Sequence, residues 1–317
     1  MKVISAAGRE KFKKPFLAIG VFDGVHRGHQ ILINRVVRKA RAAGGTSVAM
    51  TFDPHPVHVL RPQIDCPLLV SVPHRLKLIE ALGVDVCIVV RFTKKFSHLT
   101  PEQFIQDYLV KKIHPQEVFL GDDFRFGQNR SGDLDFLKEA ARRCGFKVNI
   151  VPAVKFQKER ISSTRIRKLI ADGKLLAARR ILGRRVSVLG KVVPGDSRGR
   201  KLGFPTANLE CGGDPLIPPG VYLAYVILDK KIFQGIANIG FRPSFYKKRE
   251  GKVLVEVHIL DFNKNIYGRE MVIEIIQRLR DEKEFLTPEA LIAQIKTDEV
   301  KARRYFLPTQ ILLTQNS

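Results

Sequence analysis

The first half of the chain alternates short apolar runs with amphipathic stretches, and this rhythm restricts the possible folds more than any other feature. Strands are predicted over residues 16–21, 47–52, 84–90, 117–120 and 147–152, and helices over residues 29–43, 74–82, 101–111, 134–144 and 163–182. Such alternation implies a parallel sheet with helices on both faces. We therefore expect a doubly wound α/β domain.

The pattern changes near residue 183. Over residues 186–280 the apolar runs are separated by clusters of Gly, Pro and Asp, which predicts an antiparallel β-barrel. Thr287, Pro288 and Glu289 form a helix-start signal, so a terminal helix is expected after the barrel. The 317 residues exceed the usual size of one core. We predict two domains, residues 1–182 and 183–317.

The apolar segments and the cysteines argue against several classes of protein. Apolar stretches such as residues 86–90 are too short to span a bilayer, and the N-terminus lacks the apolar core of a signal peptide. We expect a soluble, cytoplasmic protein with no membrane partner. The four cysteines form no CxxC pair, which argues against structural zinc and a disulfide framework. No pattern in the sequence specifies an oligomeric state.

A net charge of +24 is the strongest bias in the composition. A basic surface attracts polyanions without sequence-specific contacts, which raises the hypothesis of a nucleic-acid-binding regulator. However, Lys and Arg are spread along the chain, and aromatic residues are not interleaved with them as stacking platforms. Because small nucleotides are polyanions too, the charge does not by itself indicate nucleic acid, and nucleic acid is not expected to be the main partner.

A loop with the sequence FDGVHRGH, residues 22–29, follows the first predicted strand. Gly24 would let the backbone approach a phosphate, and a helix that begins directly after a strand presents unpaired N–H groups to an anion. His26 and His29 are candidate catalytic residues that would hydrogen-bond phosphate oxygens during attack on phosphorus. Alternatively, the loop is a surface turn with solvated histidines or part of a metal site, although no nearby pattern completes a zinc ligand set.

The segment ISSTRIR, residues 161–167, begins the last predicted helix of this half. Hydroxyls at a helix N-terminus are ordinarily caps. Here Ser162, Ser163 and Thr164 are followed by Arg165 and Arg167, so hydroxyl donors and a guanidinium fork are available to phosphates of ATP. HxGH early and SSTxxR late together resemble the HxGH nucleotidylyltransferase superfamily. The resemblance implies in-line attack of an acceptor phosphate on the α-phosphorus of ATP, with pyrophosphate leaving.

A basic, glycine-containing loop occupies residues 190–209 of the barrel half. Such a loop can wrap phosphates, so Gly195, Arg200 and Pro205 are candidate ATP-binding residues. Thr206 and Asn208 offer hard oxygen ligands, two residues apart, to Mg²⁺. By composition alone the same loop is a basic hairpin turn.

The sequence GFPTAN, residues 203–208, resembles the signature of riboflavin kinases. Further matches follow at residues 219–222, 238–245, 255–262, 267–268 and 279–285, and the first half matches at residues 20–30, 51–56, 122–127 and 162–167. Over nearly its whole length the chain is similar to the bacterial bifunctional riboflavin kinase/FMN adenylyltransferase family. The resemblance implies that ATP phosphorylates riboflavin to FMN in the second domain and adenylylates FMN to FAD in the first.

The resemblance also implies roles for individual residues. Thr206 and Asn208 would hold Mg²⁺ and ATP phosphates, and Glu256 would be the catalytic base that accepts the proton of the ribityl 5′-hydroxyl. The alternation of apolar residues in the predicted strand points Glu256 away from the apolar face, although by residue type alone it is a solvent-facing carboxylate. Five residues are assigned to a flavin or nucleotide pocket: Pro54, His55, Asp123, Phe124 and Arg125.

Two positions depart from the family pattern. Ser244 and Phe245 are followed by YKK where the family more often has glycine, and Val21 replaces a residue that is often polar. Neither change removes a proposed catalytic group. Two alternatives stay open at this point: only the kinase half is active, or a basic nucleic-acid-binding regulator uses the same scaffold.

Overall fold

The computed structural model describes residues 1–5, 10–195, 199, 202–241 and 253–307. Two compact units are present, one comprising residues 1–166 and 181–183 and the other residues 167–180 and 184–317. Residues 167–180 thus group with the second unit, and the boundary between residues 182 and 183 stays a prediction. Within the described residues, no helix has both the length and the apolar character that crossing a membrane requires.

The first half of the chain contains eight strands and eight α-helices among its described residues. The strands are β1 (Lys2–Ser5), β2 (Pro15–Ile19), β3 (Thr46–Asp53), β4 (Val86–Arg91), β5 (Glu117–Gly121), β6 (Lys147–Val151), β7 (Lys155–Phe156) and β8 (Glu159–Arg160). The helices are α1 (Arg27–Ala42), α2 (Pro56–Leu60), α3 (Val72–Glu80), α4 (Lys94–Ser97), α5 (Pro101–Phe104), α6 (Leu134–Cys144), α7 (Ser163–Ala171) and α8 (Leu175–Leu182).

Six of these strands form one parallel sheet in the order β1-β4-β3-β2-β5-β6. Successive residues of a strand point to opposite faces. Accordingly, Leu17 and Ile19 of β2 pack into the core that includes α6, whereas Phe16 and Ala18 pack into the core that includes α1. The prediction of a doubly wound α/β domain is therefore confirmed.

Several local features differ from the sequence prediction, which for example did not include α2, α4 or the hairpin of β7 and β8. The helix predicted over residues 163–182 is two helices, α7 and α8, because Gly173 between them adopts a φ of +70° that ends the first one. The helix predicted over residues 101–111 is α-helical only in α5 and continues as a π-helical turn over Ile105–Val110. Strand β1 was not predicted, since its side chains are largely exposed.

The second half forms a closed antiparallel barrel with the strand order β10-β13-β12-β11-β14-β9. Its elements are β9 (Ser187–Val193), β10 (Ala207–Cys211), β11 (Gly220–Leu228), β12 (Lys231–Phe241), β13 (Val253–Ile259), β14 (Glu270–Arg280) and a terminal helix α9 (Pro288–Phe306). Ala302 of α9 packs with Val221, Leu223 and Ile236 of the barrel wall. The predicted barrel and terminal helix are confirmed.

Candidate active sites

The predicted HxGH loop lies at the carboxyl end of β2, in the middle of the sheet. His26 is the N-cap of α1 and is buried, and its Nδ1 accepts a hydrogen bond from the backbone N–H of His29 at 3.4 Å. Phe22, Gly24 and Val25 all have a positive φ. That conformation is strained for a β-branched residue such as Val25, and strain of this kind is concentrated at functional sites. The alternative of a surface turn with solvated histidines is therefore wrong for His26.

The two histidine rings are stacked, with centroids 3.6 Å apart and an interplanar angle of 15°. Burial, with a smaller contribution from the positive charge of Arg160, lowers the pKa of His26 to about 4. Burial, His26 and the buried Arg75 hold the pKa of His29 well below its usual value. Both rings are therefore neutral at physiological pH, and each neutral ring carries one N–H that can donate to a phosphate oxygen.

The second predicted segment meets this loop directly. Ser163, the first residue of α7, donates its Oγ hydrogen to the backbone carbonyl of Asp23 at 3.0 Å. Ser162 Oγ accepts from the backbone N–H of Arg165 at 3.3 Å and caps the helix. Two motifs far apart in the sequence are thus brought together, as expected when both follow the carboxyl ends of strands in one parallel sheet.

A cavity of about 830 Å³ opens beside these residues, and its walls come from the carboxyl ends of β2 to β6. One part of the lining is polar and includes His26, His29, Ser162 and Ser163. Another part is a cluster of six rings, here called the phenylalanine cluster: Phe52, Phe92, Phe96, Phe104, Phe124 and Phe126. Neighbouring rings of the cluster, such as Phe124 and Phe126, have centroids 5.3–6.2 Å apart. The cavity can hold a large ligand with a phosphate at one part and an apolar ring system at another.

The lining contains a charged network around Arg160, a residue that the sequence analysis missed. Arg160 forms ion pairs with Asp122 at 2.7 Å and with Asp123 at 2.9 Å, and Arg125 pairs with Asp133 at 3.2 Å. Asp123, Phe124 and Arg125 line the cavity as predicted. The only sequence signal for Arg160 was its position two residues before Ser162.

Behind the loop lies Arg75, which is fully buried and was also missed. It donates to Thr51 Oγ1 at 3.2 Å and to the carbonyl of Phe52 at 3.0 Å. Burial lowers the pKa of Arg75, and the nearby carboxylates of Asp23 and Asp53 oppose that shift. A buried Arg inside an otherwise amphipathic helix gives no recognisable sequence signal, because its partners lie on other elements.

Five predicted residues do not line the cavity in the described part of the chain. Thr164 is exposed on α7, and Arg167 lies half-buried one turn further along the helix. His55 caps α2, its Nδ1 accepting from the N–H of Val57, and Pro54 precedes it. Gly24 is buried against Leu69, so its conformation serves the shape of the loop. The binding roles of these residues stay predictions.

In the barrel, the strand register places three polar side chains in one row. Asn208 of β10 pairs with Glu256 of β13, and Glu256 pairs with Asn238 of β12. Directly paired residues of antiparallel strands point to the same side. Since Val255 and Val257 are buried inside the barrel, the row Asn208-Glu256-Asn238 lies on its outer face.

The segment before β10 completes this site. A Cβ at Gly195 would collide with the side-chain amide of Asn208, so any larger residue there would displace that side chain. The carbonyl of Pro205 is 2.8 Å from Nδ1 of His258. Arg200 and the Ser244-Phe245 segment lie outside the described residues.

A divalent cation would have oxygen donors here. No group of three or more His, Cys, Asp or Glu that could hold a metal is present among the described residues. The donors that remain are the hydroxyl of exposed Thr206 and the amide oxygen of Asn208, with Glu256 opposite Asn208. Two protein oxygens leave most coordination positions to phosphates and water, which is the usual arrangement for Mg²⁺. The residues therefore fit Mg²⁺ bound together with a nucleotide.

Comparisons with known proteins follow the same division of the chain. The family model of FAD synthetase matches residues 9–165, and the family model of riboflavin kinase matches residues 182–306. The chain is 40% identical over 295 residues to the bifunctional riboflavin kinase/FMN adenylyltransferase of Listeria monocytogenes, covering 92% of each chain. The chain belongs to the bifunctional riboflavin kinase/FMN adenylyltransferase family.

Other members of the family agree with this assignment. The Escherichia coli K12 enzyme of the same name is 37% identical over 291 residues and is also covered to 92%. A crystal structure described as a macrolide-efflux protein from Streptococcus pneumoniae is 31% identical, with a TM-score of 0.80 over 96% of this chain and 99% of that one. The fold of 96% of this chain is thus similar to that of a solved structure.

Proposed function

We propose that the two sites carry out the two reactions of the family: phosphorylation of riboflavin by ATP in the barrel domain and adenylylation of FMN by ATP in the α/β domain. One observation carries the proposal. The Ser163–Asp23 hydrogen bond joins the two predicted phosphate-binding segments beside one large cavity. A first domain that had lost its activity would have no reason to keep both segments together with two stacked, neutral histidines, so we expect this domain to be active as well as the kinase half.

In the α/β domain, the phosphate of FMN attacks the α-phosphorus of ATP and pyrophosphate leaves. No covalent enzyme intermediate is needed, so the domain contributes position and charge stabilisation. His26, His29 and the hydroxyl of Ser162 supply neutral donors to the oxygens on which charge builds up, while the hydroxyl of Ser163 is used to hold the loop at Asp23. The N-terminus of the 16-residue helix α1 adds the positive end of a helix dipole.

The phenylalanine cluster gives the flavin ring a place in the same cavity. Isoalloxazine is a flat, largely apolar ring system, and aromatic side chains stack against such rings at low entropic cost. Phe124 is half-buried and lines the cavity next to Asp123 and Arg125. We place the ring of FMN against Phe124 and its phosphate towards the histidines.

In the barrel domain, Glu256 is placed to accept the proton of the ribityl 5′-hydroxyl as that oxygen attacks the γ-phosphorus of ATP. A positioned carboxylate can act in this way when it lies within hydrogen-bond reach of the hydroxyl. Asn208 and Asn238 flank Glu256 in the row and would orient the phosphates and the ribityl chain. Mg²⁺, held by Thr206 and Asn208, would neutralise charge on the β- and γ-phosphates.

Incubation with riboflavin, ATP and MgCl₂, followed by chromatography of the flavins, tests the proposal. We expect FMN to appear first and FAD to follow. If no FMN forms at any riboflavin concentration, the proposed function is wrong. If FMN forms but supplied FMN is never converted to FAD, the chain is a riboflavin kinase with an inactive first domain.

A further inference from the structure

The strand that carries Glu256 presents a second functional side chain on the same face. His258 lies two residues beyond Glu256 on β13, and both are half-buried, whereas Val255, Val257 and Ile259 are buried inside the barrel. Side chains two residues apart on a strand point to the same side of the sheet. His258 therefore lies on the outer face of the barrel, next to the row Asn208-Glu256-Asn238.

The contacts of His258 lead to the segment that carries the proposed cation ligands. Its Nδ1 is 2.8 Å from the carbonyl oxygen of Pro205. A carbonyl can only accept, so Nδ1 carries the proton and donates it. The edge of the Phe204 ring also meets the imidazole, with centroids 5.9 Å apart and an interplanar angle of 76°.

Among the described residues, strand pairing does not reach Pro205 or Thr206, although the turn before them is closed by a hydrogen bond from the N–H of Phe204 to the carbonyl of Gly199 at 2.8 Å. The pairing of β10 with β13 begins at Ala207, opposite Val257, and Thr206 lies just before it. Pro205 has no N–H and cannot extend the ladder by donating a hydrogen bond. Its carbonyl is held by a side chain instead, and that side chain comes from the strand of the proposed base.

We propose that His258 is a positioning residue for phosphoryl transfer: by holding the carbonyl of Pro205, it fixes the Thr206 hydroxyl relative to Glu256. This proposal rests on the proposed kinase function of the barrel. It links the oxygen ligand on one segment to the base on the neighbouring strand through one hydrogen bond. Misplacement of a reacting group by about 1 Å costs on the order of a hundredfold in rate, so one bond at this point is enough to matter.

Three variants of the full-length enzyme test the proposal. His258→Leu removes the donor, and His258→Asn keeps a side-chain N–H close to the position of Nδ1. Gln234→Leu makes a similar polar-to-apolar change on the exposed part of β12, where no site residue has been placed. We expect His258→Leu to lower kcat for FMN formation by about ten- to a hundredfold, His258→Asn to recover most of the rate, and Gln234→Leu to have no effect.

A second readout does not depend on activity. Hydrogen–deuterium exchange of the peptide over residues 202–211 should become faster in His258→Leu and return towards the normal rate in His258→Asn, while peptides of β11 keep their rate.

A double variant gives a third test, again through the rate of FMN formation. The rate of His258→Leu combined with Thr206→Ala should be no lower than that of Thr206→Ala alone, because the effects of residues that act through one another are not additive.

The outcomes separate this proposal from the kinase assignment itself. If the wild-type protein forms no FMN, the proposed function fails. If the wild-type protein forms FMN and His258→Leu does so within twofold of the same rate, only the role of His258 is overturned. Independent, multiplicative losses in the double variant, or equal losses in His258→Leu and His258→Asn, would also overturn it.

Discussion

The two sites handle the same co-substrate, ATP, with opposite architectures. In the α/β domain, loops from five parallel strands enclose a cavity of about 830 Å³, and its histidines are stacked and neutral. In the barrel, half-buried polar side chains stand on the outer face of adjacent strands, in a row fixed by register. The first site depends on convergence of distant loops, and the second depends on the pairing of neighbouring strands.

This contrast shows which catalytic groups suit a buried cavity and which suit the outer face of a barrel. Burial serves the adenylylation site because the exclusion of water strengthens each hydrogen bond that a neutral donor makes to the transition state. The mechanism proposed for the kinase site uses an ionised base and a cation, and both are costly to bury. The half-buried outer face of the barrel suits those charges better than an enclosed cavity.

The largest expected effect is on the barrel. Glu256→Gln keeps the shape of the side chain but removes the base, so FMN formation should fall about 10²- to 10⁴-fold. Conversion of supplied FMN to FAD should be unchanged, and it serves as the control for folding of the first domain. Loss of both activities in a folded variant would show that the two sites are not independent.

The reciprocal change is in the cavity. His29→Ala removes the stacked ring together with its N–H donor, so FAD formation from FMN should fall about 10²- to 10³-fold, the usual cost of losing one oxyanion-stabilising donor. FMN formation from riboflavin should keep its rate. A drop of less than threefold in FAD formation would exclude His29 from the reaction.

Burial of His26 makes the stability of the α/β domain depend on pH. The pKa of His26 is about 4 in the folded protein against 6.5 unfolded, so below pH 6.5 the unfolded chain binds the proton more tightly. The stability that the neutral ring maintains is present above pH 6.5 and is lost as the pH falls towards 4. The loss amounts to about 3 kcal/mol at most.

His26→Asn isolates this effect, because Asn can still cap α1 but does not titrate. Calorimetric unfolding at pH 7 and pH 4.5 should show a larger loss of Tm for the wild-type protein than for His26→Asn. Between pH 7 and pH 8 the difference between the two proteins should stay constant. Parallel pH curves over the whole range would contradict the assigned burial of the ring.

The smallest effect concerns the phenylalanine cluster. Phe124→Leu keeps apolar volume but removes a stacking surface worth about 0.5–1.5 kcal/mol, so the KM for FMN should rise roughly two- to tenfold. The KM for riboflavin in the kinase reaction should not change. A rise in the KM for ATP with no change for FMN would place the adenine, and not the flavin, against this wall.

The sequence predicted the scaffold better than the surroundings of each site. Periodicity located α6 residue for residue and both motifs of the α/β domain, since strong amphipathic patterns and helix starts are local signals. It missed Arg75 and Arg160 because their partners come from other elements. It also joined α7 and α8 into one helix, since a single Gly in an apolar pattern does not by itself reveal a left-handed backbone.

For the barrel site, the resemblance supplied Thr206, Asn208 and Glu256, and the alternation of β13 gave the side on which Glu256 lies. What no spacing in the sequence could give was the register that sets Asn208 and Asn238 on either side of Glu256. Register is a relation between strands, and it is fixed only when the barrel closes.

Because the row depends on strand register, the rate of FMN formation measures how much of the protein has folded with the correct strand pairing. A slip of β13 by one residue would turn Glu256 into the barrel interior and Val255 or Val257 out to solvent. A misregistered barrel could keep its strands and its compactness, yet it would have no base beside Asn208. Formation of FMN during refolding would thus count only molecules whose strand pairing is correct, which spectroscopy of strand content cannot do.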